Sequence, residues 1–158
     1  MEEKQKKLEV LAKLAADLNE SDILWAVGAS AMLFLRGMLP EFHDIDLMVC
    51  EEEIDVAREI LLRHGTLLPT EPDSKYGSRH FLEFDVDGVE IDLIAGFVIN
   101  TADGKQHVCP LEMEDVDACV DVFDQAVSLH SLRTWYEYYA LMGREDRVKT
   151  IEEYLGIK

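Results

Sequence analysis

Positive charge is what this sequence lacks most. Fifteen lysines and arginines face 33 aspartates and glutamates, for a formal net charge of −18. A surface that grips a nucleic-acid backbone needs clustered cations, so nucleic acid is not expected as a partner. Cysteine is scarce too: Cys50, Cys109 and Cys119 are odd in number and form no CxxC pair. This argues against a disulfide framework or a structural zinc site and fits a reducing, cytoplasmic setting. The longest uncharged apolar run, "ILWAVGASAMLFL", stops at Leu35 after 13 residues. Spanning a bilayer takes roughly 20, so no membrane partner is expected. The opening "MEEKQKKLEVLAKLAADLNE" is interrupted by charge throughout, unlike a secretory signal. The sequence shows no repeats, low-complexity tracts or long linkers.

What is present is an ordinary globular composition, 48% hydrophobic and 30% charged, in 158 residues. That length suits one domain, residues 1–158, with a proper core. Leu8, Leu11, Leu14, Ala15 and Leu18 recur at helical spacing, which predicts a helix over residues 3–19. "ILWAV" reads as a buried strand that runs into Gly28-Ala29-Ser30 and a helix ending near Gly37. "DIDLMV" is strand-like, and "EEEIDVAREILLRH" is helical, with acids first, basic residues last and Gly65 as its cap. "TEPDSKYG" is a polar turn or loop. "SRHFLEFDV" and "VEIDLIAGFVIN" alternate as strands joined by Asp87-Gly88, a hairpin signal, and "TADG" makes another turn before "KQHVCP". Residues 116–129 are ambiguous, with a strand expected near "VDVFDQAVSL". The last segment reads as two helices broken at Gly143. The expected fold is α/β (α+β): a mixed β-sheet core over about residues 22–128, flanked by helices, with a short C-terminal helical hairpin at about 131–156.

Against this background the acids inside apolar strands stand out. On a strand, residues i and i+2 share a face, so Asp44 and Asp46 project together while Ile45 and Leu47 turn away. Two neighbouring carboxylates repel and stay ionised only with compensation, and Mg²⁺ is a natural partner for hard oxygen ligands. The alternative is a solvated strand end. In "GVEIDLIAGF", Glu90 and Asp92 share a face in the same manner. Three acids on neighbouring strands can clamp two Mg²⁺ ions for phosphoryl or nucleotidyl transfer. "WAVGASAMLF" is a strand, a small-residue turn and a helix, offering backbone N–H groups and the Ser30 hydroxyl to a phosphate, or else simply a capped turn.

"VGASA", "DID" beginning fourteen residues beyond Ser30, and "VEIDLI" together resemble the nucleotidyltransferase superfamily related to DNA polymerase β. The likeness covers about residues 22–100. It is strongest to small bacterial members: antibiotic nucleotidyltransferases acting on lincosamides or aminoglycosides, and the nucleotidyltransferase-like proteins of toxin–antitoxin systems. The resemblance implies an enzyme that moves an NMP group from an NTP such as ATP to a hydroxyl of a small molecule or protein. By it, Gly28 and Ser30 hold the phosphates, while Asp44 and Asp46 bind Mg²⁺. Asp92 completes the metal site and helps to activate the acceptor. Ala29 separates Gly28 from Ser30, where the family often has Gly-Gly or Gly-Ser. Arg36, Lys75 and Arg79 are the phosphate-binding cations that position alone offers. The C-terminal helices are short for an acceptor-binding domain, which leaves room for a homodimer that completes the site. A catalytically inactive nucleotide- or partner-binding module with the same fold is the alternative function.

"EFDVDGVEIDLI" imitates a calcium loop, but its twelfth residue is Ile94 where a bidentate glutamate is needed. The aromatic group Trp135, Tyr136, Tyr138 and Tyr139 reads as packing of the C-terminal helices, and His43 as a loop histidine beside Asp44.

Overall fold

The leucine stripe of the first segment forms α1 (Glu2–Glu20), which buries Val10, Leu11, Leu14, Ala15 and Leu18. Each fully buried leucine stabilises the fold by about 1.5–3 kcal/mol, so one face of α1 suffices to anchor it. The structure, a computed structural model, describes residues 2–69 and 80–156. Lys75, Arg79 and the "TEPDSKYG" segment lie outside the described residues.

The chain continues through β1 (Trp25–Gly28), α2 (Ala29–Leu35), β2 (Ile45–Val49), α3 (Ile54–His64) and the two-residue β3 (Thr66–Leu67). A hairpin of β4 (His80–Val86) and β5 (Val89–Ala95) follows, then a second of β6 (Phe97–Asn100) and β7 (Gln106–Cys109). A third pairs β8 (Val116–Val122) with β9 (Gln125–His130), and α4 (Leu132–Met142) and α5 (Glu145–Leu155) close the order. Seven strands form one mixed sheet in the order β3-β4-β5-β2-β1-β9-β8, with β2–β5 and β1–β9 parallel and the other pairs antiparallel. This is the mixed sheet and helical pair expected from the pattern.

Alternation along the central strands sorts the two faces. Ile45, Leu47, Ile91 and Leu93 are fully buried on one, beneath α1 and α3. Asp46, Asp92 and Ile94 emerge on the other, where α4 lies across the sheet's end. The Asp87-Gly88 turn has both residues at positive φ, 53° and 85°, as a two-residue hairpin loop requires.

Three local differences have clear causes. The ambiguous stretch at 116–129 is a complete hairpin rather than one strand, because Phe123 and Asp124 take positive φ (47° and 66°) without a glycine to mark the turn. "VEIDLIAGFVIN" is two strands, broken where Gly96 takes φ 61° and sends β6 into a separate two-stranded sheet with β7. Gly65 does close α3, but in extended backbone rather than a left-handed cap. Among the described residues, no helix is long and apolar enough to cross a membrane.

Candidate active site

The row of residues crossing the sheet in register is Gly28, Asp46, Asp92 and Glu83, one each from β1, β2, β5 and β4. Parallel pairing of β2 with β5 therefore sets Asp46 directly beside Asp92. Asp44 precedes β2, and its loop is held from α1. Lys4 Nζ donates to the Pro40 carbonyl (3.0 Å) and Lys7 Nζ to that of Phe42 (2.6 Å). Phe42 is buried against Phe34, their ring centroids 4.8 Å apart.

Carboxylate oxygens of Asp44, Glu90 and Asp92 all lie within 4.8 Å of one another, and Asp46 adjoins them. Asp92 is buried, and its Oδ1 has no hydrogen-bond partner. Burial, then Asp46 and Asp44, push the Asp92 carboxyl up to about 10. Burial, then the charge of Asp44, push Asp46 up to about 7. Glu90 is also raised, by burial and then by Asp44 and Glu83. A group of acids that resists ionising together is one that a divalent cation would stabilise, and these side chains supply hard oxygen ligands. The residues present thus fit a metal of the Mg²⁺ kind.

A cleft of about 390 Å³ opens over this row. Asp44, Asp46, Asp92 and His43 line it together with Ala29 and Ser30 from the β1–α2 turn. Ala29 has φ 53°, an uncommon conformation for a residue with a Cβ, and it turns the chain sharply so that Ser30 reaches the cleft. Gly28 serves a different local purpose. A Cβ there would sit 2.7 Å from Cζ2 of Trp135, so only glycine admits the indole. Trp135 in turn donates from Nε1 to Nδ1 of His130 at 2.9 Å. His130 is fully buried, and burial holds its pKa down at about 4. A neutral imidazole therefore orients the tryptophan that walls the cleft.

The remaining lining comes from Phe81, Ile94, Phe97, Tyr139 and Met142, and from Arg144 and Arg147. Trp135 and Tyr139 are core residues, as the aromatic pattern implied, yet they also face the cleft. Of the cations weighed from sequence, Arg36 is engaged elsewhere. Its Nη2 pairs with Asp117 and donates to the His130 carbonyl at 2.9 Å, away from the cleft lining.

Sequence reasoning missed Arg144 and Arg147. Gly143 ends α4 at φ 77°, with Arg144 N–H bonded to the Tyr139 carbonyl (2.9 Å) and Gly143 N–H to that of Ala140 (3.2 Å). This left-handed cap turns the chain back toward the cleft, and Arg144 and Arg147 flank the acids Glu145 and Asp146 at the start of α5. The helix break at Gly143 was the available signal. Glu90 was noted only as sharing a face with Asp92; β5 places it within the carboxylate cluster.

No family model matches this chain, and no curated protein matches it. Solved structures do. A Thermotoga maritima protein assigned as a nucleotidyltransferase matches at 24% identity and TM-score 0.73, over 96% of this chain and 93% of that one. ANT(2'')-Ia in complex with adenylyl-2''-tobramycin matches at 14% identity and TM-score 0.65, over 95% and 90%. The lincosamide antibiotic adenylyltransferase LnuA, with lincomycin bound, matches at 9% identity and TM-score 0.60, over 91% and 95%. At these identities the likeness establishes the fold.

Proposed function

We propose that this chain, which carries the nucleotidyltransferase fold, is a metal-dependent nucleotidyltransferase that moves an NMP group from an NTP to a hydroxyl of a small molecule. The observation that carries the reading is the cluster of Asp44, Asp46 and Asp92, with Glu90 beside it, in which the three aspartates line a cleft that also exposes Ser30. The solved neighbours with adenylyl-2''-tobramycin or lincomycin support a small-molecule acceptor.

Asp44, Asp46 and Asp92 would hold the metal, with Glu90 as a further oxygen donor within reach of two of them. When bound, Mg²⁺ supplies charge neutralisation for the triphosphate and lowers the pKa of the attacking hydroxyl. Ser30, at the start of α2, would donate its hydroxyl to a phosphate oxygen, beside the backbone of Gly28. The acceptor oxygen attacks the α-phosphorus, the bond to the departing pyrophosphate breaks, and the acceptor proton moves to a carboxylate oxygen of Asp92. A divalent ion held by the cluster would favour the ionised form of the buried Asp92 carboxyl, the form that can take that proton. Phe97, Trp135 and Tyr139 form the apolar wall on which a base or acceptor ring packs, keeping water from the reacting atoms.

The test is to incubate the protein with each NTP, Mg²⁺ and a panel of hydroxyl-bearing small molecules, and to detect NMP adducts by mass spectrometry. Adducts that disappear in Asp46→Asn support the reading. Adducts formed equally by that variant refute it.

A further inference from the structure

The sheet does not place the three aspartates of the cluster in the same way. Asp46 is held in the ladder between Gly28 on β1 and Asp92 on β5, and Asp92 is paired again to Glu83 on β4. The ladder of β2 starts at Ile45, so Asp44 stands one residue outside it. Its position depends on the loop that leads in from α2. Among the described residues, that loop makes no backbone–backbone hydrogen bond over residues 39–43. A ligand carried on such a segment needs support from elsewhere, because a metal site works only when its ligands are held to about 0.5 Å.

That support comes from α1. Lys4 and Lys7 are three residues apart, so they share one side of the helix. The bond from Lys4 to the Pro40 carbonyl, 3.0 Å, is exposed to solvent, whereas that from Lys7 to the Phe42 carbonyl, 2.6 Å, is partly buried. The Lys7 ammonium also lies 5.3 Å from the centroid of the Phe42 ring, which packs in turn on Phe34. Phe42 is thus held by its carbonyl and its ring at once, two residues before Asp44. A charged donor to a partly buried carbonyl is among the stronger hydrogen bonds, and the ring contact adds to it. Burial of the phenyl ring fixes the side chain; the ammonium fixes the peptide that leads to Asp44.

We propose that Lys7, seconded by Lys4, is a positioning residue for metal binding: through the Phe42 peptide it sets where the Asp44 carboxylate stands against Glu90 and Asp92. The proposal rests on the reading above in taking Asp44 as a metal ligand. It carries a sign that separates it from plain electrostatics. Removing a lysine makes an already acidic protein more negative, which by charge alone favours a bound cation. Loosening Asp44 disfavours it. A loss of metal affinity on removing a positive charge is therefore the mark of positioning.

Mn²⁺ binding without nucleotide, followed by electron paramagnetic resonance, tests it. Lys7→Met keeps the stem and removes the donor, and should weaken binding about tenfold, the low end of the loss seen when a ligand's supporting partner is removed. Lys7→Arg should restore most of that affinity. Lys4→Met, whose bond is exposed and farther along the chain from Asp44, should cost less. Lys13→Met makes the same charge change on the same helix by breaking an exposed pair with Asp87, and should not weaken binding. In an Asp44→Asn background Lys7→Met should have no further effect, because its action passes through that carboxylate. Hydrogen exchange should show faster amides over residues 41–46 in Lys7→Met, with α3 and the β4–β5 hairpin unchanged. Mn²⁺ affinity in Lys7→Met equal to or above wild type, the same loss in the Asp44→Asn background, or faster exchange throughout the sheet overturns the proposal. NMP transfer with Mn²⁺ affinity unaltered in Lys7→Met would sink this proposal alone. Lys7-dependent Mn²⁺ binding with no transfer to any acceptor would sink only the enzymatic reading.

Discussion

Replacing Asp92 with asparagine should make the metal-free protein more stable at pH 7, although it removes a buried charged-type residue. In the folded state the Asp92 carboxyl is raised from 3.8 to about 10, chiefly by burial. A carboxyl raised on folding contributes its stability fully below the unfolded value, and that contribution is lost as pH rises toward the folded value. Metal-free wild-type protein should therefore lose stability from about pH 4 upward, through neutrality and toward pH 10. At pH 7 the gap from 3.8 is about 3 pH units, a ceiling near 4 kcal/mol, which relaxation and water entry reduce to about 2 kcal/mol. Asparagine fits the same space without an ionisable group, so its pH profile should be flatter. For a chain of 158 residues, 2 kcal/mol corresponds to a Tm rise of about 4–8 °C. Mg²⁺ should reverse the ranking: at 100 times its Kd it would stabilise the wild type by about 2.7 kcal/mol and the variant far less. Scanning calorimetry with EDTA and with Mg²⁺ reads both effects. If Asp92→Asn is less stable in EDTA at pH 7 and both proteins respond equally to Mg²⁺, the reasoning about the cluster is wrong.

Three further predictions concern residues behind the cleft lining. His130, ordinarily near 6.5 and held at about 4 by burial, contributes stability that is present above 6.5 and lost as pH falls toward 4. That loss should approach 3 kcal/mol at pH 4, and tryptophan-monitored urea unfolding should show it vanish in His130→Leu. Gly28→Ala drives a Cβ to 2.7 Å from Trp135 and should cost about 1–3 kcal/mol by denaturant titration, with altered Trp135 fluorescence. Arg36→Met strands Asp117 and the His130 carbonyl, and should lower stability by about 1–3 kcal/mol while leaving ATP affinity unchanged.

The parts of the fold legible in the sequence are those written in periodicity and strong turn chemistry. Leucine spacing gave α1, and Asp87-Gly88 gave the β4–β5 hairpin that carries Asp92 beside Asp46. The β8–β9 hairpin escaped because Phe123 and Asp124 make its turn, without the glycine that completes an Asp-Gly signal. The acidic half of the site was readable because carboxylates within apolar strands violate alternation for a chemical reason. Its basic half was not, since the break at Gly143 was legible but not the direction in which it turns Arg144 and Arg147, which tertiary packing sets. Arg36 shows the converse: proximity in sequence to the Ser30 turn placed it under suspicion, while the sheet order gave it to Asp117 on β8.

The central claim is that the carboxylate cluster serves metal-dependent nucleotidyl transfer. Pyrophosphate release from NTP, followed with Mg²⁺ and a fractionated pool of hydroxyl-bearing small molecules, tests it most directly. Wild-type protein should release pyrophosphate in step with acceptor consumption, and EDTA or Asp46→Asn should reduce the rate at least a hundredfold, a loss of about 2.7 kcal/mol of transition-state stabilisation. Release that persists undiminished in EDTA and in Asp46→Asn would contradict it.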